Sequence, residues 1–227
     1  RDPQLDPEIK ESYAQAAEAQ LMRLAEEKPG DARIHVFIGS YYRSINQIDQ
    51  AAEQMAVARS LSPNKQAIII QQGFIELSRN QNEAARDFFR EAYELDERNL
   101  EAKEYYAASL FYTDQTEEAK ALIDSQETAE RFAESDFLIG TANQFGQTDF
   151  VIELFETRVA TEPNDRQNWQ TEAQNWATLS FLYYEQGEGE KAIEVLERSE
   201  QYVPSFAPTA QCIVGNIEND REPQEGC

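Results

Sequence analysis

The sequence predicts an all-α chain, an α-solenoid of about five antiparallel helical hairpins with half a unit before them and a capping helix after. Three observations predict it. One ruler fits many landmarks: Ala17, Ala51, Ala85 and Ala119 stand 34 residues apart, and Gly39 to Gly73, Met55 to Phe89, Ala58 to Ala92 and Pro29 to Pro63 keep the same interval. Within each interval, apolar residues recur at helical spacing in two blocks, joined by a short polar link such as INQID, RNQNE or EQGEGE. The third observation is composition: 41% hydrophobic residues with only 9 Gly and 8 Pro in 227 suit an ordered helical protein rather than a disordered one.

Taken in order, residues 1–31 are expected to form the half unit. Asp6-Pro7 reads as an N-cap followed by proline in the first helical turn, and the helix it opens carries Ala17 and Leu21 in the register of a second hairpin helix. Full units are expected over 32–65, 66–99, 100–130, 132–165 and 173–206, with 166–172 inserted before the last. Small residues at Gly39, Ala51 and Ala58 fall where two helices cross, and Ile38, Tyr42 and Met55 fill the crossing. Pro63 and Pro204 fall where a helix has ended, the place at which a missing N–H does least harm. Residues 207–227 are expected to give a capping helix with Ile213 and Ile217 on one face, then a frayed tail.

These residues resemble the tetratricopeptide repeat. Trp176, Leu179, Tyr183, Gly187, Ala192, Leu196 and Pro204 occupy the signature places of that family in order, and Ile38, Gly39, Tyr42, Ala51, Met55, Ala58 and Pro63 do so in the first unit. Departures are Glu76 for the signature aromatic, Glu97 for the proline, a third unit that keeps Tyr106, Ala119 and Ile123 but loses its end, and Val151 and Arg158 where small residues belong. The resemblance covers roughly residues 10–206 and implies a protein-binding scaffold. A narrower likeness lies in the joints ARSLSPNKQ, AYELDERN and FETRVATEPND, which resemble the repeat region following the membrane part of bacterial O-antigen-ligase-like proteins. It implies an extracytoplasmic appendage of a glycan-assembly protein, with no catalytic residue to carry over.

Charge narrows the partners. Lys and Arg total 20 against 43 Asp and Glu, a formal charge of -23 that repels phosphate backbones, so no nucleic-acid partner is expected. No run approaches the ~20 apolar residues that span a bilayer, so this segment is not expected to insert in a membrane. Opening on Arg1 rather than Met fits a processed product or a piece of a longer chain. Cys212 and Cys227 are the only cysteines; a disulfide suited to an oxidising compartment and two free thiols are both open.

Chemistry for catalysis is not legible. The one histidine, His35, stands where the last unit has Trp176 and is expected to be interior. Pairs such as Glu26-Glu27 and Glu117-Glu118 suit solvated helix faces in so acidic a chain. No enzyme activity, metal or cofactor is expected.

The candidate binding surface is the strip that first helices turn inward: Arg33, Val36, Ser40, Arg43 and Ser44, then Ile70, Phe74, Leu77 and Ser78, then Glu104, Ala108, Phe111 and Tyr112, and in the last unit Ala177, Phe181 and Tyr184. One reading is a groove for an apolar or aromatic peptide or helix, with Arg33 and Arg43 holding a carboxylate. The other is that neighbouring helices consume these side chains. A structural subunit that self-assembles into a homo-oligomer or fibre is the alternative function. The repeated tripeptide in QNWQTEAQNW sets Trp169 about 10 Å above Trp176 on the same helix face. Trp169 is thus a candidate either to cover the irregular fourth unit or to make an intermolecular contact.

Overall fold

The computed structural model describes residues 7–160 and 169–227, and all thirteen α-helices of the described residues belong to two compact units, residues 1–114 and 115–227. No strand occurs among the described residues. Asp6, expected as an N-cap, and the first part of the inserted segment, 166–168, lie outside them.

The first unit holds α1 (Pro7–Glu27), α2 (Ala32–Ser44), α3 (Ile48–Leu61), α4 (Gln66–Ser78), α5 (Asn82–Leu95) and α6 (Leu100–Phe111). Its hairpins α2/α3 and α4/α5 are closed by one repeated turn. Asn46 and Asn80 adopt positive φ of 62° and 57°, a conformation that asparagine tolerates better than most residues. The next N–H then reaches back to the helix it has just left, Gln47 N to Tyr42 O at 2.8 Å and Gln81 N to Glu76 O at 2.9 Å. At each crossing only a hydrogen fits. A Cβ on Gly39 would stand 2.9 Å from Met55 Cε and 3.2 Å from Ala51 O, and one on Gly73 would stand 2.7 Å from the Phe89 ring. Ala51, Ala58, Ala85 and Ala92 are all fully buried.

The departures from the repeat pattern in this unit are absorbed by polar contacts. Glu76 pairs with Arg79, which also reaches Asp49 of α3 at 2.6 Å. The exit of α5, where Glu97 replaces proline, is held by Asn99, whose side chain accepts from Glu101 N and Ala102 N and bonds Gln66. Gln66 in turn donates to Ala92 O at 2.6 Å.

The second unit holds α7 (Thr116–Ala121), α8 (Gln126–Ala133), α9 (Asp136–Gln144), α10 (Thr148–Ala160), α11 (Trp169–Glu185), α12 (Gly189–Tyr202), a 3-10 turn at Pro204–Phe206 and α13 (Ala207–Glu218). The α9/α10 and α11/α12 hairpins use the same turn with glycine, Gly146 at φ 68° and Gly187 at φ 77°. The segment that keeps Ala119 is broken after one and a half turns. Ser125 accepts from Thr128 N and starts a new helix, and Ser135 accepts from Leu138 N and starts the next. Arg158, in place of a small residue, is accommodated by contacts on three helices. Its guanidinium donates to Ala133 O at the end of α8 (2.6 Å), to Asp136 of α9 (3.2 Å) and to Asn175 of α11 (3.4 Å). Val151 is buried.

At the end of the chain the cysteines are joined: Cys212 and Cys227 form a disulfide with Cα atoms 5.8 Å apart. Asn216 Nδ2 donates to Pro223 O (3.1 Å) and Glu225 O (2.8 Å), so the segment expected to fray is folded back on α13. No helix among the described residues is long and apolar enough to cross a membrane.

Candidate functional site

In the first unit, α2 and α4 run side by side as successive first helices, and between them opens a cavity of about 380 Å³. Ala32, Arg33, Val36, Phe37 and Ser40 of α2 line one wall, Ala67, Ile68 and Gln71 of α4 the other, with Ser62 and Lys65 from the link between α3 and α4 at its edge. The walls are mostly apolar. Phe37 stands 65% exposed, a large ring that the fold itself does not cover.

Three polar groups give the cavity its chemistry. Arg33 is already engaged: Asp31, the N-cap of α2, accepts from its backbone N at 3.0 Å, its Nε at 2.9 Å and its Nη2 at 2.7 Å. The side-chain hydrogen bonds from Arg33, and next its backbone N–H, lower the Asp31 carboxyl to about 2. Lys65 makes no ion pair with any described residue and remains a free cation at the edge. Gln71 carries a buried side-chain oxygen with no hydrogen-bond donor, an unfavourable arrangement that a ligand N–H would relieve.

Of the expected strip, the cavity gathers Arg33, Val36 and Ser40. Arg43 lies elsewhere, its guanidinium 5.9 Å from the centroid of Phe74. Phe74 packs edge-on against Phe89 and Tyr105 at 5.1 and 4.9 Å. Ile70 and Phe111 are core, 5% and 2% exposed, while Leu77 and Tyr112 are half-buried. Glu104 and Ala108 are buried, Ser44 and Ser78 exposed. In the second unit Phe181 is exposed, with Ala177 and Tyr184 half-buried on the same helix. Sequence reasoning missed Phe37, Lys65 and Gln71. The link SPNK was read only as a helix end, although a lysine directly before a first helix is a signal for a charge at the mouth of that helix pair.

His35 is interior: Nδ1 meets Gln54 Oε1 at 2.9 Å, and Nε2 is buried without a partner. No group of three His, Cys, Asp or Glu side chains lies close enough to hold a metal among the described residues. Trp176 is buried and stacks on Tyr202 with centroids 5.4 Å apart, while Trp169, first residue of α11, is 50% exposed.

No family model matches the chain, and no curated protein matches it in sequence. Solved structures do match its fold. It is similar to YrrB, described as a TPR protein with an unusual peptide-binding site, at TM-score 0.50 and 18% identity over 84% of this chain and 97% of that one. It is similar to the MamA protein at TM-score 0.51 and 15% identity, over 78% and 94% of the two chains. A tetratricopeptide repeat protein from Parabacteroides merdae matches at TM-score 0.52 and 15% identity, over 89% and 79%. Identities this low speak for the fold alone, and the fold they show is an all-α helical repeat of the tetratricopeptide kind.

Proposed function

We propose that this chain is a protein-interaction module that binds a peptide segment of its partner in the cavity between α2 and α4. The observation that carries the reading is the cavity's composition: apolar walls, an uncovered Phe37, a free Lys65 and the unpartnered oxygen of Gln71. Such a site takes one apolar side chain, pairs a neighbouring carboxylate with Lys65, and receives a backbone N–H at Gln71. The cation serving the carboxylate is Lys65 rather than Arg33, which Asp31 neutralises. The peptide-binding site described for YrrB, a protein of similar fold, supports this reading. It calls for no cofactor and no catalytic step.

The context read from the joints, a repeat region of an O-antigen-ligase-like glycan-assembly protein outside the cytoplasm, is part of the same proposal. It rests on those joints in the sequence, and the disulfide between Cys212 and Cys227 supports an oxidising compartment.

Selection from a phage-displayed random peptide library, followed by titration of the selected peptides, tests the cavity. Ser40→Trp fills it and is expected to weaken a selected peptide more than tenfold. Lys65→Glu is expected to weaken acidic peptides and spare neutral ones. Peptides that bind wild type and Ser40→Trp equally would overturn the assignment.

A further inference from the structure

The cavity between α2 and α4 makes three demands of whatever enters it: an apolar body for its walls, an N–H for the unpartnered oxygen of Gln71, and a carboxylate for Lys65 at its edge. One place on the surface of this chain meets all three. Among the described residues, the exposed large apolar side chains that also carry a hydrogen-bond donor are Tyr13, Trp169 and Tyr202. Tyr202 is engaged, its ring stacked on Trp176. Tyr13 is followed one helical turn later by Ala16 and Ala17, which offer no charge. Trp169 is followed one turn later by Glu172, in the first turn of α11. Glu172 forms no ion pair with any described residue.

Side chains three apart on a helix stand about 5–6 Å apart at Cβ. An indole seated between the cavity walls therefore carries Glu172 to the cavity's edge, where Lys65 stands uncommitted. Indole Nε1 only donates, so it satisfies Gln71 Oε1 without bringing an unmet acceptor of its own. A phenyl ring would fill the same walls and leave that oxygen as it is. Trp169 is 50% exposed although it stands in register with the buried Trp176, so α11 packs only the second of the two rings. Tryptophan is also among the side chains that most often anchor protein interfaces.

We propose that Trp169 of one copy docks in the α2/α4 cavity of another, its indole between the apolar walls, its Nε1–H on Gln71 Oε1 and Glu172 paired with Lys65. This docking presupposes that the cavity is a peptide site and names the occupant, a second copy of this chain. A second copy fits because apolar ring, donor and carboxylate coincide at Trp169 and at no other exposed large apolar residue among those described. Elsewhere two copies repel, at a formal charge of -23 each, so the Lys65 and Glu172 pair also fixes where they can meet. The two surfaces differ. Two copies that exchange tryptophans close a dimer, and otherwise the contact repeats into a ring or filament.

Sedimentation at about 0.15 M salt, where exposed charges are screened beyond roughly 8 Å, tests the docking. The weight-average mass of wild type should rise with concentration. Trp169→Ala and Ser40→Trp should each stay monomeric with unchanged helical circular dichroism spectra. Trp169→Phe, which loses one hydrogen bond, should associate about fivefold more weakly than wild type. Lys65→Glu and Glu172→Lys should each be monomeric alone and associate when mixed, because the mixture restores opposite charges at every contact. Wild type that stays monomeric at every concentration, a Trp169→Ala or Ser40→Trp variant that associates as wild type does, or a mixture no heavier than its components overturns the docking. Library peptides that bind wild type but not Ser40→Trp, alongside a monomeric wild type, leave the peptide site standing and remove only the second copy. Peptides that bind both proteins equally remove the cavity itself.

Discussion

Asp31 shows how one residue serves both the helix and the site. Its carboxylate caps α2 and holds Arg33, and these contacts lower its ionisation from the usual 3.8 to about 2 in the folded state. A lowered folded value stabilises the native state at pH above about 4, and that contribution disappears as pH falls toward about 2. Urea midpoints of wild type and Asp31→Asn, measured across that window, should therefore differ most near neutrality and converge at the acid end. The two tryptophans offer a second check at this scale. Trp176 is enclosed between Tyr202 and Arg198, so acrylamide should quench the fluorescence of Trp169→Phe far less than that of wild type. Residue roles were partly legible in the sequence. The interior place of His35 follows from its register with Trp176, but the capture of Arg33 by Asp31 does not, because two residues apart on a chain become partners only once the helix start bends between them.

Among elements, the hairpins were legible and the breaks between them were not. Crossing geometry repeats with the period, which is why Gly39 and Gly73 could be read as crossing points. Their tolerance should differ. An added methyl at Gly39 meets the flexible end of Met55 and, at 3.2 Å, a backbone oxygen, whereas at Gly73 it meets the rigid Phe89 ring at 2.7 Å. Overpacking costs about 1–3 kcal/mol, offset by roughly 1 kcal/mol of helix propensity. Gly73→Ala should thus lower the urea midpoint more than Gly39→Ala. The break between α7 and α8 escaped detection for a physical reason. Ser125 and Thr128 carry a helix-start signal, but a ruler that expects one continuous second helix treats them as its interior. Arg158 likewise read as a defect, since its three-way bonding depends on carbonyl and amide groups distant in sequence.

For the whole molecule, the acidity legible in the composition governs association more than folding. A charge of -23 per chain makes copies repel one another, and added salt weakens that repulsion by screening. The disulfide acts on stability instead. Closing a loop over a separation of 15 residues is worth about 3 kcal/mol in the chain-entropy account. A reductant should therefore lower the thermal midpoint of wild type and leave a Cys212→Ser, Cys227→Ser variant unmoved. Of the residues that line the cavity, the sequence singled out only Arg33, Val36 and Ser40 on α2, because the cavity depends on the spacing of α2 and α4, a tertiary quantity that no single period encodes. The recurring turn carries a consequence of its own. Gln47 and Gln81 precede their second helices in the same way, so excising residues 48–81 joins α2 to α5 through an unaltered turn. It would also set Gly39 against Phe89, as Gly73 is set now. A shortened protein of this kind keeps its hairpin closure and discards the cavity, so the length of the array and the presence of the cavity can change separately.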